Sequence, residues 1–177
     1  LVIPTLLPPW LSGDLSLISG FLTWIVVLYW LWRSGWKIQR RYFIEATQKP
    51  LTRNAIVWSA GIVGAIFFVA AQMRPGMPGV MTVAMIGALS AYVDARTHRL
   101  PNAYTVAMAI GVVLGLAVSG VISPLWQERL FGALIGALIW FVPIALLNRL
   151  PGGMGGGDVK LGPVLGALVG SVGLHAA

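Results

Sequence analysis

The chain has 177 residues, 58% of them hydrophobic and 10% charged, with a net charge of +7 and no cysteine. Soluble domains carry about 25% charged residues, so a chain this poor in charge cannot present a water-facing surface all round. Disulfides, zinc ribbons and thiolate chemistry are excluded, and the positive charge comes with no basic stripe or base-stacking motif that would point to nucleic acid.

Residues Leu1–Trp10 carry Pro4, Pro8 and Pro9 and lack a basic lead into an apolar run. They read as an apolar, non-helical lead-in and not as a signal peptide. Six apolar segments follow, at about Leu15–Trp32, Ala55–Met73, Val80–Val93, Ala103–Ile122, Leu130–Leu147 and Val159–Leu174. Crossing the hydrocarbon takes about 20 helical residues. The third and sixth segments are short by that measure, but each adjoins an aspartate through which its helix can continue. Breakers separate the segments: Pro75, Gly76 and Pro78; Pro101 and Asn102; Pro124; and Pro151 to Gly157. The expected fold is an all-α polytopic membrane bundle of about six transmembrane helices. Residues 1–177 form one membrane-embedded domain, with a basic loop at 33–54.

Trp36–Ala46 within that loop can be a basic linker or an amphipathic interfacial helix. As a helix it would place Ile38, Tyr42 and Ala46 on one face, flanked by Trp36 and Phe43, and Lys37, Arg40, Arg41 and Glu45 on the other, with Ile44 the one apolar intruder. Gly111 and Gly115, Gly132 and Gly136, and Gly162, Gly166 and Gly170 stand four residues apart. That spacing lets helix backbones approach closely inside a bundle.

Charge sets the orientation. Arg33, Lys37, Arg40, Arg41, Lys49, Arg53, Arg96, Arg99, Arg149 and Lys160 fall in loops on one side, ten of the twelve basic residues; Arg74 and Arg129 fall on the other. The positive-inside rule makes the first side cytoplasmic and the N-terminus external. Without any reference to chemistry, the same count puts Asp94 and Asp158 on one face.

Of the five acids, Asp14, Glu45 and Glu128 read as solvated loop residues, whereas Asp94 and Asp158 abut apolar helices. A carboxylate at bilayer depth costs about 2.5–3.5 kcal/mol and marks function when it is retained. Either could be bland alone, Asp94 paired with Arg96 or Arg99 and Asp158 a helix cap. Together, two carboxylates sharing a proton can activate water and protonate a peptide without metal or covalent intermediate.

The flanking residues narrow the reading. Asp94-Ala95-Arg96-Thr97-His98-Arg99-Leu100-Pro101-Asn102 follows one apolar helix, and Gly155-Gly156-Gly157-Asp158-Val159-Lys160-Leu161 opens another. Over roughly Val80 to Gly170 the chain resembles the type IV prepilin peptidases and the related archaeal preflagellin peptidases. Their first Asp precedes a Pro-Asn, and their Gly-x-Gly-Asp precedes Lys-Leu. The resemblance implies Asp94 and Asp158 as the catalytic pair of an aspartyl endopeptidase in the cytoplasmic membrane. The implied substrate is a prepilin or pseudopilin precursor with a short basic leader, and no cofactor is implied.

Gly155 and Gly157 are expected to let the backbone turn sharply and an extended substrate approach Asp158, Pro101 to stop one helix and Asn102 to cap the next. Lys160 is expected to anchor at the interface, and lone His98 not to hold metal. A helix C-terminus disfavours, and an N-terminus favours, a carboxylate, so Asp94 is expected to be the acid and Asp158 the base. Larger family members carry a cysteine-rich zinc loop after the first helix, associated with methylating the trimmed product. The cysteine-free loop here does not support methyltransferase activity. The rivals are a presenilin-like protease, whose Pro-Ala-Leu motif is missing, a small proton- or cation-coupled transporter, and a non-catalytic assembly subunit.

Overall fold

The computed structural model describes residues 9–71, 76–151 and 155–173, with the side chains of 9–12 and 173 set aside. Seven α-helices are present and no strand among the described residues: α1 Pro9–Trp30, α2 Trp36–Glu45, α3 Arg53–Ala70, α4 Met77–Thr97, α5 Asn102–Ile122, α6 Trp126–Asn148 and α7 Gly156–Gly173. A π-helical turn, Leu31–Gly35, joins α1 to α2 without a break. The continuous helix Gly13–Glu45, together with α3, α4, α5 and α6, gives five helices long and apolar enough to cross a bilayer. Helix α7, 18 residues long like α3, makes the sixth helix of the expected bundle. This is a multi-pass membrane protein. Its apolar surface, including Val26, Ile62, Val113 and Phe131, is exposed on helices that have lipid to face.

Pro9 and Trp10 already belong to α1, which corrects the non-helical reading of the lead-in; residues 1–8 lie outside the described residues. Helix α4 begins after Gly76, whose φ of 93° is a left-handed conformation suited to glycine. Pro75 and Arg74 also lie outside the described residues.

At the centre of the bundle is α4. Met77, Met81, Met85, Ile86, Leu89 and Val93 line its buried face, closed by Leu31 and Ile56 and by Tyr104 and Met108 of α5. Flexible thioethers fill the irregular gaps between helices. Where α4 and α5 approach most closely, a side chain at Gly111 would collide with Thr82, and one at Gly115 would sit 2.9 Å from the Gly79 nitrogen. Helices α6 and α7 pair more closely still, since a Cβ on Gly136, Gly166 or Gly170 would run into the carbonyl of Gly166, Gly136 or Gly132 respectively. The glycine spacing therefore serves packing inside the chain. Much of the rest of α6, including Phe131, Leu138 and Ile139, is exposed.

The segment Trp36–Ala46 is helical, and its buried centre is Gln39 with Phe43. Ile38 and Tyr42 are only half-buried, so the buried face is the expected one with its centre shifted to its Phe43 edge. The cause is a pair of hydrogen bonds. Gln39 Nε2 donates to the Leu51 carbonyl at 3.0 Å, and the Leu51 N–H donates to Gln39 Oε1 at 3.3 Å. A buried amide satisfied in this way binds the 46–52 connection to α2.

Candidate active site

Asp94 lies in the last turn of α4 and Asp158 in the first turn of α7. Both helices run through their aspartates, as the short apolar segments require. Each carboxylate is half-buried, and both line one open cleft of about 480 Å³ with Tyr42, His98, Leu100 and Asn102. Residues that are distant in sequence meet here because helix ends with basic flanks gather at one end of the bundle.

Backbone geometry builds the Asp94 side. The His98 N–H donates to the Asp94 carbonyl at 2.7 Å, and His98 closes α4 at φ 51°, ψ 34°. A left-handed cap ends a helix by turning the chain back across it, and histidine is among the non-glycine residues that accept it. Thr97 Oγ1 donates to the Val93 carbonyl at 2.8 Å. The helix thus stops at Thr97, ahead of Pro101. That proline holds an extended conformation, φ −67° and ψ 117°, as the residue before α5. Asn102 is the first helical residue and makes no capping bond, which corrects its expected role. Its Oδ1 instead accepts from Lys160 Nζ at 3.0 Å. Lys160, expected first as an interfacial anchor, thereby connects the two motifs, although the contact is exposed.

On the Asp158 side, the Asp158 N–H donates to the Gly155 carbonyl at 3.0 Å, which starts α7. Gly156 and Gly157 are already helical, so a sharp turn is not what Gly157 provides. At Gly157 the requirement is space: an added Cβ would stand 2.8 Å from Leu100 Cβ. Gly157 lets the start of α7 sit against the loop after Asp94. At Gly155 an added Cβ would lie 3.8 Å from Asp158 Oδ2, an ordinary contact.

The bland partners of Asp94 are otherwise engaged. Arg99 donates to Glu45 Oε2 at 2.8 Å, Arg41 donates to Glu45 Oε1 at 2.9 Å, and Arg96 stacks over the Tyr92 ring at 5.7 Å. Among the described residues, no ion pair involves Asp94 or Asp158. Glu45 is therefore no idle loop acid. The hydrogen bond from Arg41, reinforced by the charges of Arg41 and Arg99, lowers its carboxyl pKa from the ordinary value even at this exposed site. Gln48 Nε2 adds a second tie by donating to the Arg96 carbonyl at 2.8 Å. Helix α2 and the residues after it thus fasten the first motif loop, and α2 contributes Tyr42 to the cleft. The amphipathic pattern placed Tyr42 on an inward side; nothing local pairs Glu45 with Arg99, which lies in a different loop.

The model of the Type IV leader peptidase family matches residues 80–176, more than half of the chain and both aspartate motifs. The chain belongs to the type IV leader peptidase family. It is also 34% identical over 126 residues to a prepilin leader peptidase/N-methyltransferase of Bacillus subtilis (strain 168), an alignment covering 67% of this chain and 48% of that protein. The chain thus spans about half the length of that curated relative. No solved structure matches it.

Proposed function

We propose that this family member is an aspartyl endopeptidase that removes the short basic leader of prepilin or pseudopilin precursors at the cytoplasmic face of the inner membrane. The observation that carries the reading is the shared cleft: Asp94 and Asp158, from opposite kinds of helix end, line one cavity at the basic end of the bundle.

The open cleft can admit an extended peptide between Tyr42, Leu100 and the glycines before Asp158. Asp158, at a helix N-terminus where negative charge is favoured, serves as the base that takes a proton from water. Asp94, at a helix C-terminus where it is disfavoured, serves as the acid that gives its proton to the carbonyl oxygen. The water oxygen bonds to the carbonyl carbon. When the resulting gem-diol collapses, one hydroxyl returns its proton to Asp94 as the C=O bond re-forms, the C–N bond breaks and the proton on Asp158 passes to the departing amine. Each half-reaction leaves the pair sharing one proton.

The basic loop 33–54 has no thiolate to hold zinc. The new N-terminus of the product should accordingly remain unmethylated, although the Bacillus subtilis relative is named for both activities. The deciding experiment is incubation of the purified chain with a prepilin in detergent, followed by N-terminal sequencing and mass measurement of the product. An intact precursor would refute the peptidase, and an enzyme-dependent methyl group would refute the second claim.

The orientation rests on ten basic residues against two. Single cysteines at exposed Ser34 and Lys49 should label only once the inner face is opened, and one at exposed Gln127 from outside. The reverse pattern would invert the assignment.

A further inference from the structure

Away from the cleft, a second cavity of about 310 Å³ lies where α1 leaves its apolar span and α3 begins, lined by Trp32, Arg33, Trp36, Lys37 and Arg53. Three of the five lining residues are cations and none is an acid. Glu45 pairs with Arg41 and Arg99, and no acid lines this cavity, so Arg33, Lys37 and Arg53 gather around it with no carboxylate among them. Like charges gathered around one cavity repel unless an anion neutralises them.

The local backbone explains the gathering. The π-helical turn Leu31–Gly35 widens the helix at Trp32 and Arg33, and the Trp36 N–H reaches back to the Leu31 carbonyl. Tyr104 Oη donates to the Gly35 carbonyl at 3.0 Å and pins that turn to α5. Arg53 enters from the other side as the first residue of α3, an 18-residue helix, and its guanidinium rests over the Trp32 ring at 5.4 Å. The start of α3 adds the positive end of a helix dipole.

We propose that this cavity binds the phosphate headgroup of an anionic phospholipid, with Arg33, Lys37 and Arg53 as its cations. Two features favour a lipid over a free anion. Tryptophan rings sit at the boundary of a bilayer, and Trp32 is 51% exposed at the end of the apolar span. Along the same two helices toward the membrane interior the surface is exposed and apolar, with Tyr29 and Ile25 on α1 and Trp58 and Ile62 on α3. A lipid would place its phosphate among the cations and its chains along that surface. Because α2 starts at Trp36 and Lys37 and contributes Tyr42 to the cleft, the bound headgroup would steady one wall of the candidate active site.

The test needs no peptidase activity. The purified full chain in non-ionic detergent is titrated with phosphatidylglycerol or chain-matched phosphatidylcholine, and bound lipid is counted by native mass spectrometry. Phosphatidylglycerol should be retained preferentially, and each cation removed should weaken it by roughly fivefold. The Arg33→Gln, Lys37→Gln, Arg53→Gln variant should lose the preference. The Arg40→Gln, Lys49→Gln, Arg149→Gln variant, with the same change in charge elsewhere, should keep it. Arg33→Lys with Arg53→Lys guards against misfolding and should retain most of the binding. Equal losses in both triple variants, equal retention of the two lipids, or displacement of phosphatidylglycerol by millimolar inorganic phosphate would each overturn the proposal.

Discussion

The two aspartates are held by two regions built on opposite packing rules. Asp94 ends α4, which is locked into the α1–α5 body by buried side chains such as Met81, Met85, Ile86 and Tyr104. Asp158 starts α7, which leans chiefly on α6 through bare backbone at Gly132, Gly136, Gly166 and Gly170. In water the first kind of packing draws on the hydrophobic effect. In lipid neither does, and both depend on close contact. Side chains can adjust to a lost methylene, but backbone against backbone has nothing to give. The body should therefore tolerate substitution with a loss of stability, whereas the hairpin should respond with a shift of Asp158.

The largest effect tests whether the two regions share one chemistry. Asp94→Asn and Asp158→Asn should each lower prepilin cleavage by roughly 10²–10⁴-fold with membrane insertion unchanged, as loss of a general acid or base does. Asp14→Asn and Glu128→Gln should cleave normally. Full activity in either Asn variant, measured by gel shift of the precursor, would leave the cleft without its function.

Next in size is the contrast in packing. Gly136→Ala or Gly166→Ala places a Cβ against a carbonyl and should cost about 1–3 kcal/mol of strain. Because the strain moves the helix that carries Asp158, cleavage should fall more steeply than thermal stability. Met81→Ala, with a cost of about 2–5 kcal/mol, should lower the unfolding temperature while sparing the rate of the folded fraction. The reverse ordering would break the comparison.

The point where the regions touch can be tested directly. Gly157→Ala brings a Cβ onto Leu100 and should separate the two motifs. Leu100→Gly, which removes the Cβ that the new methyl would meet, should be mild alone, and combined with Gly157→Ala it should restore activity, with a coupling of about 0.5–3 kcal/mol. Additive losses in kcat/KM would show that this contact does not set the spacing.

The smallest effect concerns the strap on the body side. Arg41 lowers the Glu45 carboxyl in the folded state, so the pair stabilises above the unfolded value, near the ordinary 4.5. That contribution is lost as pH falls through the lowered folded value. The unfolding temperature of Glu45→Gln should lie slightly below that of the parent at neutral pH and converge with it in acid. A gap that widened in acid would contradict the assigned direction. Exposure keeps the effect small.

Much was legible without coordinates, since lipid imposes strong local rules. Runs of apolar residues become helices because no other backbone satisfies its own hydrogen bonds in hydrocarbon. Charge asymmetry assigns loops to faces, and so Asp94 and Asp158 could be put on one face before their cleft was seen. The paired motifs carried the family, and the four-residue glycine spacing carried the close helix approach. Tertiary structure alone decided the parts that depend on which loops meet. Asn102 could be read as a cap because its local sequence allows one; only the approach of α7 gives it Lys160 instead. Gly157 could be read as a turn residue because glycine permits turns; only the position of Leu100 shows that it clears space. Glu45 looked solvated because its partner Arg99 is 54 positions away in sequence. Local sequence specifies what a residue can do, and the contact that selects among those options comes from segments far along the chain.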